Sequence, residues 1–127
     1  MSEREIKFRA WDGEKMWTVD SMIGLWPLSS GIVITHQHGR EPDTEIRITD
    51  PSHLMQYTGL KDKNGVDIYE GDIVEWMQDD MTEARRHLVI YRGAGFICKG
   101  LLSIPWSSKV IGNIHENADL LEGKKSQ

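Results

Sequence analysis

One stretch, residues 56–74, constrains the fold of this 127-residue chain more than any other. It holds apolar runs on either side of Asn64-Gly65, the dipeptide favoured in two-residue type I′ turns because both central positions take a positive φ. Leu60 and Val66 would then flank a hairpin. Gly71, which can also adopt a positive φ, interrupts the next extended run before β-branched residues resume. The stretch therefore predicts strand, turn, short strand, bend and strand.

The N-terminal segment shows the two-residue apolar period of a half-buried strand. Asp12-Gly13 then predicts a turn, and the apolar residues within 16–19 predict a return strand. Residues 6–19 are therefore predicted to form the first of three hairpins. The residues on the face toward the core are Ile6, Phe8 and Ala10, and those on the opposite face are Lys7, Arg9 and Trp11.

Turn residues and apolar runs divide the rest of the chain in the same way. Gly93-Ala94-Gly95 predicts the third hairpin, because glycines accept the unusual dihedrals of tight turns. The polar residues at 36–43 predict a loop, and Asp50-Pro51 predicts a short helical turn over 51–56. Asn117 is predicted to cap a second turn that ends at 121. Further strands are predicted at 32–35, 45–49, 73–76, 88–91, 96–99 and 110–114.

Residues 56–74, QYTGLKDKNGVDIYEGDIV, resemble the central signature of the YopX-like family of small phage and prophage proteins. The segments IKFRAWD at 6–12 and VIGNIHENADLL at 110–121 are similar to the opening and close of that family, and Ala118 stands where the family has a proline. The resemblance implies an all-β fold: an SH3-like β-barrel, or a closely related curled sheet built from hairpins. It implies a phage-infected or lysogenic bacterial cell as the setting, and no established activity.

Composition and charge restrict the class of protein. A hydrophobic content of 39% and a charged content of 28% are ordinary for one globular domain over residues 1–127, with 1–5 and 122–127 expected to fray. The 20 acidic and 15 basic residues give a net charge of −5, which disfavours binding to nucleic acid. Arg85-Arg86-His87 is the one compact basic cluster, and we expect it to be the polar start of a strand. No apolar run would form a membrane helix or a signal peptide, so we expect a cytoplasmic protein.

The residue types used in catalysis and metal binding form only weak patterns. Cys98 lies among apolar neighbours, so we expect it to be buried and reduced on a strand. His36 and His38 could share a strand face, but the chain has no cysteine pair or HExxH spacing, so we expect a solvated loop, no metal and no cofactor. No GxSxG motif marks a nucleophile. Catalytic residues are therefore not assigned.

The central stretch contains five candidate binding residues. Glu70 and Asp72 flank a glycine, a spacing that fits either a general acid and base or a bend whose carboxylates accept backbone N–H bonds. Tyr57 and Tyr69 are typical strand residues as well as candidates for binding. The five candidates are Tyr57, Asp62, Tyr69, Glu70 and Asp72.

Arg9 and Trp11 have the composition of an interface anchor, since a tryptophan beside an arginine is typical of binding surfaces. The chain has five tryptophans, more than a domain of this size buries easily. We therefore expect a protein partner or a homo-oligomer on this face. The function that we predict is a non-enzymatic, phage-type binding or assembly module. The alternatives are a nucleic-acid-binding β-barrel and, less favoured, a small hydrolase.

Overall fold

The structure is a computed structural model that describes residues 5–19, 21–23, 31–37, 40–48, 50–77, 83–93, 95–101 and 103–122. These ranges form eleven β-strands, a 3-10 turn and one four-residue α-helix, so the predicted all-β class is confirmed. The strands pair antiparallel, and one sheet curls as a half-barrel. The elements are β1 (Phe8–Trp11), β2 (Met16–Thr18), β3 (Ser21–Ile23), β4 (Gly31–Gln37), β5 (Arg40–Ile48), the 3-10 turn (Pro51–His53), β6 (Leu54–Lys61), β7 (Asp67–Tyr69), β8 (Asp72–Trp76), β9 (Arg85–Arg92), β10 (Gly95–Cys98), β11 (Lys109–Asn113) and α1 (Asp119–Glu122).

The chain divides into two compact units, Met1–Gln56 and Tyr57–Gln127. Strand β6 contributes to both, because its residues 54–56 pair with β1 and its residues 57–61 pair with β7. The expectation of one domain over 1–127 stays a prediction. Of the ends expected to fray, residues 1–4 and 123–127 lie outside the described residues, whereas Glu122 belongs to α1.

In the first unit, β1 pairs with β2 in the register Ala10↔Trp17, which confirms the first hairpin. The Asp12 carboxylate organises its loop: Oδ1 accepts the backbone N–H groups of Glu14 and Lys15, both at 2.7 Å, and Oδ2 accepts the Trp17 indole N–H at 2.8 Å. The bond from Trp17, followed by those from Lys15 and Glu14, lowers the pKa of Asp12. The aspartate therefore closes the turn and also orients the indole of the return strand.

The predicted inner face of the first strand is only partly correct. Ala10 is fully buried and packs in a small core with Ile48. Phe8 is half-buried, and Ile6, which was expected in the core, is 62% exposed. The reason is that β1 begins at Phe8, so Ile6 precedes the paired part of the strand. Alternation in the sequence continued beyond the pairing that would bury it.

The predicted loop at 36–43 is wrong over most of its length. Strand β4 continues to Gln37, and β5 begins at Arg40, with a register irregularity between Thr35 and Gln37. Pro42 therefore lies within a strand. Strand β5 is an edge strand of the sheet β3-β4-β5, and edge strands are where proline is tolerated in a sheet. The predicted strands at 32–35 and 45–48 are confirmed, and His38 lies outside the described residues.

The helical turn predicted over 51–56 is present but shorter. His53 N–H bonds to the Asp50 carbonyl at 2.9 Å, and the Asp50 side chain accepts the Ser52 N–H at 2.9 Å, as an N-cap does. The turn ends at His53 because Leu54 already pairs with Ala10 of β1. Tertiary strand pairing therefore overrides the local preference for a longer turn.

The second unit contains the sheet β10-β9-β8-β11. Its core is formed by buried apolar side chains, and Cys98 among them is fully buried on β10, as predicted. Burial raises the pKa of the Cys98 thiol to about 11. The third hairpin is also confirmed, with Gly95 opposite Arg92 and Gly93 at φ 65°. The buried core residues are Ile68, Val74, Val89, Cys98 and Ile104.

The central hairpin is present, but its turn is not type I′. Asn64 has a negative φ, whereas Gly65 has φ 84°. The Gly65 N–H bonds to the Asp62 carbonyl at 3.0 Å, and the Asp62 N–H bonds to the Val66 carbonyl at 2.8 Å. This is a three-residue loop, a type I turn followed by a left-handed glycine. Asn accepts either sign of φ, so Asn64-Gly65 alone did not determine the turn type.

We expect Gly65→Val to lower the free energy of unfolding by about 1–2 kcal/mol, because a β-branched residue resists a positive φ. The cost is purely one of backbone strain, since a Cβ at Gly65 would meet no atom within 4 Å. Gly95→Val is the matched control: its site is equally open but lies in β10 without a positive φ. Urea denaturation measures both variants, and equal midpoints would contradict the assigned turn.

Strand β6 contains a bulge that the sequence did not predict. The register against β7 shifts between Tyr57 and Lys61, and Gly59 takes φ 90° within the shift. The Thr58 hydroxyl donates to the Ile68 carbonyl at 2.7 Å and accepts the Leu60 N–H at 3.2 Å. Bulges bend a strand and leave local backbone groups without ladder partners. The threonine side chain supplies those partners here.

Candidate functional site

The carboxylate of Asp62 lies at the centre of the second unit's loops. Its side chain is buried, with the residue only 6% exposed. Oδ1 accepts the backbone N–H groups of Asn64 at 2.8 Å and Val66 at 2.9 Å, within the turn. Oδ2 accepts the N–H of Val110 at 2.9 Å, 48 residues further along the chain. One side chain thus closes the central turn and fastens it to the start of β11.

The ionised form of Asp62 is favoured despite its burial. Burial is the largest influence and by itself would raise the pKa. The N–H groups of Val110, Val66 and Asn64, together with the positive charge of Lys109, outweigh it, so the pKa of Asp62 lies below its ordinary value. A carboxylate held in this way is a structural anchor, because its lone pairs are already directed at backbone donors.

The loop between β10 and β11 is hydrogen-bonded at both of its ends, and one of these ends is bonded to the central turn. The Lys63 N–H donates to the Ser108 carbonyl at 3.0 Å, and the Ser108 N–H donates to the Pro105 carbonyl at 3.0 Å. At the other end, the Cys98 N–H donates to the Ser103 carbonyl at 3.2 Å. These bonds join residues 103–108 to the central turn at Lys63 and to β10 at Cys98.

Trp106 lies at the tip of this bonded loop and is 86% exposed. On either side of it, Ile104 is buried in the core and Ser108 is fully buried. The loop is therefore anchored on both sides, while the largest apolar side chain between the anchors is left in water. An exposed indole on a fixed loop loses little conformational freedom on binding, which favours a role as an interface anchor.

Three further exposed side chains extend from the same junction. Lys63 and Lys109 are exposed, and Val66 is 48% exposed beside the Asp62 carboxylate. Neither lysine forms a salt bridge within the part of the chain that the structure describes. We call this group of exposed side chains the Trp106 surface; it consists of Trp106, Lys63, Lys109 and Val66.

Tyr57 and Tyr69, both predicted as binding residues, pack against each other. Their ring centroids lie 5.6 Å apart, and the Lys61 ammonium lies 6.0 Å from the Tyr57 ring. Tyr57 is buried and Tyr69 is half-buried, as cross-strand partners on β6 and β7. Aromatic pairs of this geometry stabilise a sheet face. A binding role for either tyrosine stays a prediction.

Glu70 and Asp72 flank the predicted bend, which is confirmed by φ 90° at Gly71. Asp72 is buried, and its Oδ2 accepts the Tyr69 N–H at 2.7 Å, while Glu70 is half-buried. Gly71 itself bonds to the Val89 carbonyl and accepts the Ile114 N–H. This geometry fits the interpretation of the segment as a bend whose turn is closed by a carboxylate, here that of Asp72.

Arg9 and Trp11, the remaining predicted site residues, lie on β1 in the first unit. Both are half-buried, and each already interacts with other groups of the protein. The five other predicted residues lie in the second unit. Association through Arg9 and Trp11 stays a prediction, but a half-buried indole offers a partner less area than Trp106 does.

Asn117 starts the predicted turn through its carbonyl, which accepts the Leu120 N–H at 2.9 Å, but its side chain does not cap the helix. Its side-chain oxygen accepts the Asn113 N–H at 3.1 Å, and its own N–H donates to the Asn113 carbonyl at 2.8 Å. The Asn113 side chain in turn accepts the N–H groups of His115 at 3.0 Å and Glu116 at 2.9 Å. The two asparagines therefore close the turn after β11, and α1 begins only at Asp119.

Within the described ranges, no three His, Cys, Asp or Glu side chains come together as metal ligands. Of His36 and His38, for which a solvated loop without metal was expected, His38 lies outside the described residues. The described helices also include none that is long and apolar enough to cross a membrane.

Sequence reasoning missed Trp106. The segment Ile104-Pro105-Trp106-Ser107-Ser108 has no apolar alternation, so it gave no face assignment. The available signal was a tryptophan in a Pro and Ser context typical of loops, where exposure is the default. Strand alternation predicted an outward face for Trp11 instead, because Trp11 lies in a segment whose apolar residues alternate.

The protein is a small all-β protein built from antiparallel hairpins. Buried carboxylates close its central turns, and the indole of Trp106 is exposed on a loop. The family model described as YopX protein matches residues 7–122, and the chain belongs to the YopX family. It is also similar to a solved structure, described as the crystal structure of protein EF1440 from Enterococcus faecalis. That likeness has 28% sequence identity and a TM-score of 0.63, and it covers 94% of this chain and 99% of the other. No curated protein matches the sequence.

Proposed function

We propose that this protein is a small, non-enzymatic binding module that docks a protein partner through the Trp106 surface. The resemblance of its signature segments to phage and prophage proteins supports a setting in the cytoplasm of an infected or lysogenic bacterium. In that setting the module would bind or assemble with another protein, or with a further copy of itself.

The observation that carries the proposal is the 86% exposure of Trp106 on a loop whose neighbours are buried. A tryptophan can bury about 150–250 Å². At about 25 cal/mol per Å², covering such an area would contribute several kcal/mol before the cost of association. Because the loop is already held by hydrogen bonds to Lys63 and Cys98, little further ordering is required.

A nucleic-acid-binding module is the second candidate, because an exposed tryptophan near Lys63 and Lys109 is the composition of a stacking platform. The net charge of −5 favours the protein partner, since the chain as a whole repels phosphates. Proteins that bind single strands usually combine several stacking residues with a positively charged groove.

Binding peptides can be selected from a random-peptide display library on the immobilised full chain. We expect these peptides to bind the Trp106→Ala variant about tenfold or more weakly than the natural chain, as for a hot-spot residue. The fold should remain, because the indole makes little contact with the core. Affinity is measured by fluorescence anisotropy, and folding by the thermal unfolding midpoint.

The matched control is Tyr91→Ala, which removes another exposed aromatic side chain, 57% exposed, from the end of β9. It should leave peptide affinity unchanged. Recovery of peptides that bind Trp106→Ala as tightly as the natural chain would contradict the proposal.

A further inference from the structure

We infer that the partner of the Trp106 surface is an acidic protein segment, one that packs an apolar side chain on the indole and pairs its carboxylates with Lys63 and Lys109. The inference rests on the proposed function and specifies the chemistry of the partner. Two observations support it: the two lysines start from neighbouring points of the chain, and the carboxylates near them bond to other groups.

The two lysines start from neighbouring points of one bonded junction. The Lys63 N–H donates to the Ser108 carbonyl at 3.0 Å, and Lys109 directly follows Ser108. Both side chains are exposed, and Trp106 lies two residues before Ser108. The backbone bond therefore brings together the chain segments from which the two lysines and Trp106 extend.

The nearby carboxylates do not form a salt bridge with either lysine among the described residues. Asp62 is buried and accepts three backbone N–H groups, although the charge of Lys109 contributes to its low pKa. Asp67 forms a salt bridge with Lys61, and Glu75, which lies opposite Lys109 on β8, forms one with Arg86. Lys63 and Lys109 are thus left for solvent or for a partner.

Lys63 and Lys109 are two exposed positive charges on a chain whose net charge is −5. Positive side chains on an acidic protein attract an acidic segment, while the negative charges on the rest of the protein repel it. The partner is therefore oriented as well as attracted. The same two lysines would neutralise few phosphates of a nucleic acid, whose affinity grows with the number of phosphates contacted. The charge pattern therefore favours an acidic protein segment.

The test uses the full chain, a random-peptide display library and a labelled single-stranded oligothymidylate. Peptides that need Trp106 should be enriched in Asp and Glu on either side of an apolar residue. Lys63→Glu should weaken them about tenfold, roughly the effect of reversing one charge at a well-formed interface, and higher salt should weaken them further. Lys109→Gln should also weaken them, by less, and avoids placing a negative charge beside Asp62.

Lys99→Glu is the matched control, because Lys99 is an exposed lysine at the other end of the β10–β11 loop. It should leave affinity unchanged, and all variants should keep the thermal midpoint of the natural chain. Trp106-dependent peptides that lack acidic enrichment, or that bind Lys63→Glu equally well, would overturn this inference while leaving the proposed function standing. Tight binding of the oligothymidylate that requires Trp106 would overturn it in favour of nucleic acid. A library without any Trp106-dependent peptide would overturn the proposed function and the inference together.

Discussion

Asp62→Ala is expected to lower the free energy of unfolding by about 3 kcal/mol, the largest effect of any single substitution considered for this chain. The substitution removes three hydrogen bonds to an ionised carboxylate, from Asn64, Val66 and Val110. Bonds to charged groups contribute about 1.5–3 kcal/mol each, and the sum is reduced because water can enter the space left by the side chain. Urea denaturation of the two proteins measures the difference.

Asp12→Ala provides the matched control, because Asp12 also accepts two backbone N–H groups and a third donor, the Trp17 indole. Asp12 is exposed, so water replaces the carboxylate and the loss should stay below about 1 kcal/mol. Equal losses for the two variants would contradict the buried, loop-joining role of Asp62.

The pH dependence of stability gives an independent check on Asp62. Its pKa in the folded protein lies below the ordinary value of 3.8, so at acidic pH the unfolded chain binds more protons than the folded one. The stabilisation is therefore present at pH values well above the ordinary value of 3.8 and is lost as the pH falls through the lower, folded pKa. Asp62→Asn should make the free energy of unfolding depend less on pH in this acidic range. An unchanged dependence would show that other carboxylates cause it.

Gly112→Ala is expected to cost about 2 kcal/mol or more, for steric reasons. A Cβ at Gly112 would lie 2.5 Å from Oδ1, 2.7 Å from Cγ and 2.9 Å from Cβ of Asn117. Asn117 would have to move, which breaks its two bonds to Asn113 and opens the turn after β11. Thermal or urea unfolding of the variant measures the loss.

The double variant Gly112→Ala with Asn117→Gly separates this clash from a general intolerance of alanine in β11. Asn117→Gly removes the three atoms nearest to the new Cβ, so the double variant should cost clearly less than the sum of the two single variants. Additive losses would show that the contact with Asn117 is not the cause.

The hairpins could be predicted from the sequence because their turn residues act locally. Asp12-Gly13, Asn64-Gly65 and Gly93 each lie between apolar runs, and the structure places a turn at each. The type of the central turn could not be predicted, since it depends on Asp62, which binds Val66 nearby and Val110 from 48 residues away. Contacts that are distant in sequence leave no local pattern.

The same distinction applies to the candidate site. Within the stretch at 56–74, Asp62 and Asp72 accept backbone N–H groups, which is a structural use of their carboxylates. Trp106 could not be assigned a face because its exposure depends on the burial of Ile104 and Ser108, not on periodicity. Pro42 was misread because edge position in a sheet is a property of the assembled strands.

The central claim, that Trp106 is the binding anchor of this protein, is tested most directly by fluorine NMR of the full chain labelled with fluorotryptophan. The resonances of the five tryptophans are assigned with single Trp→Phe variants, and a selected peptide is then titrated. We predict that the Trp106 resonance shows the largest solvent isotope shift before binding and the largest change on binding, while Trp11 and Trp17 barely move. A Trp106 resonance that is insensitive to solvent and to the peptide, with the change at Trp11 instead, would contradict the account and place the binding surface on β1.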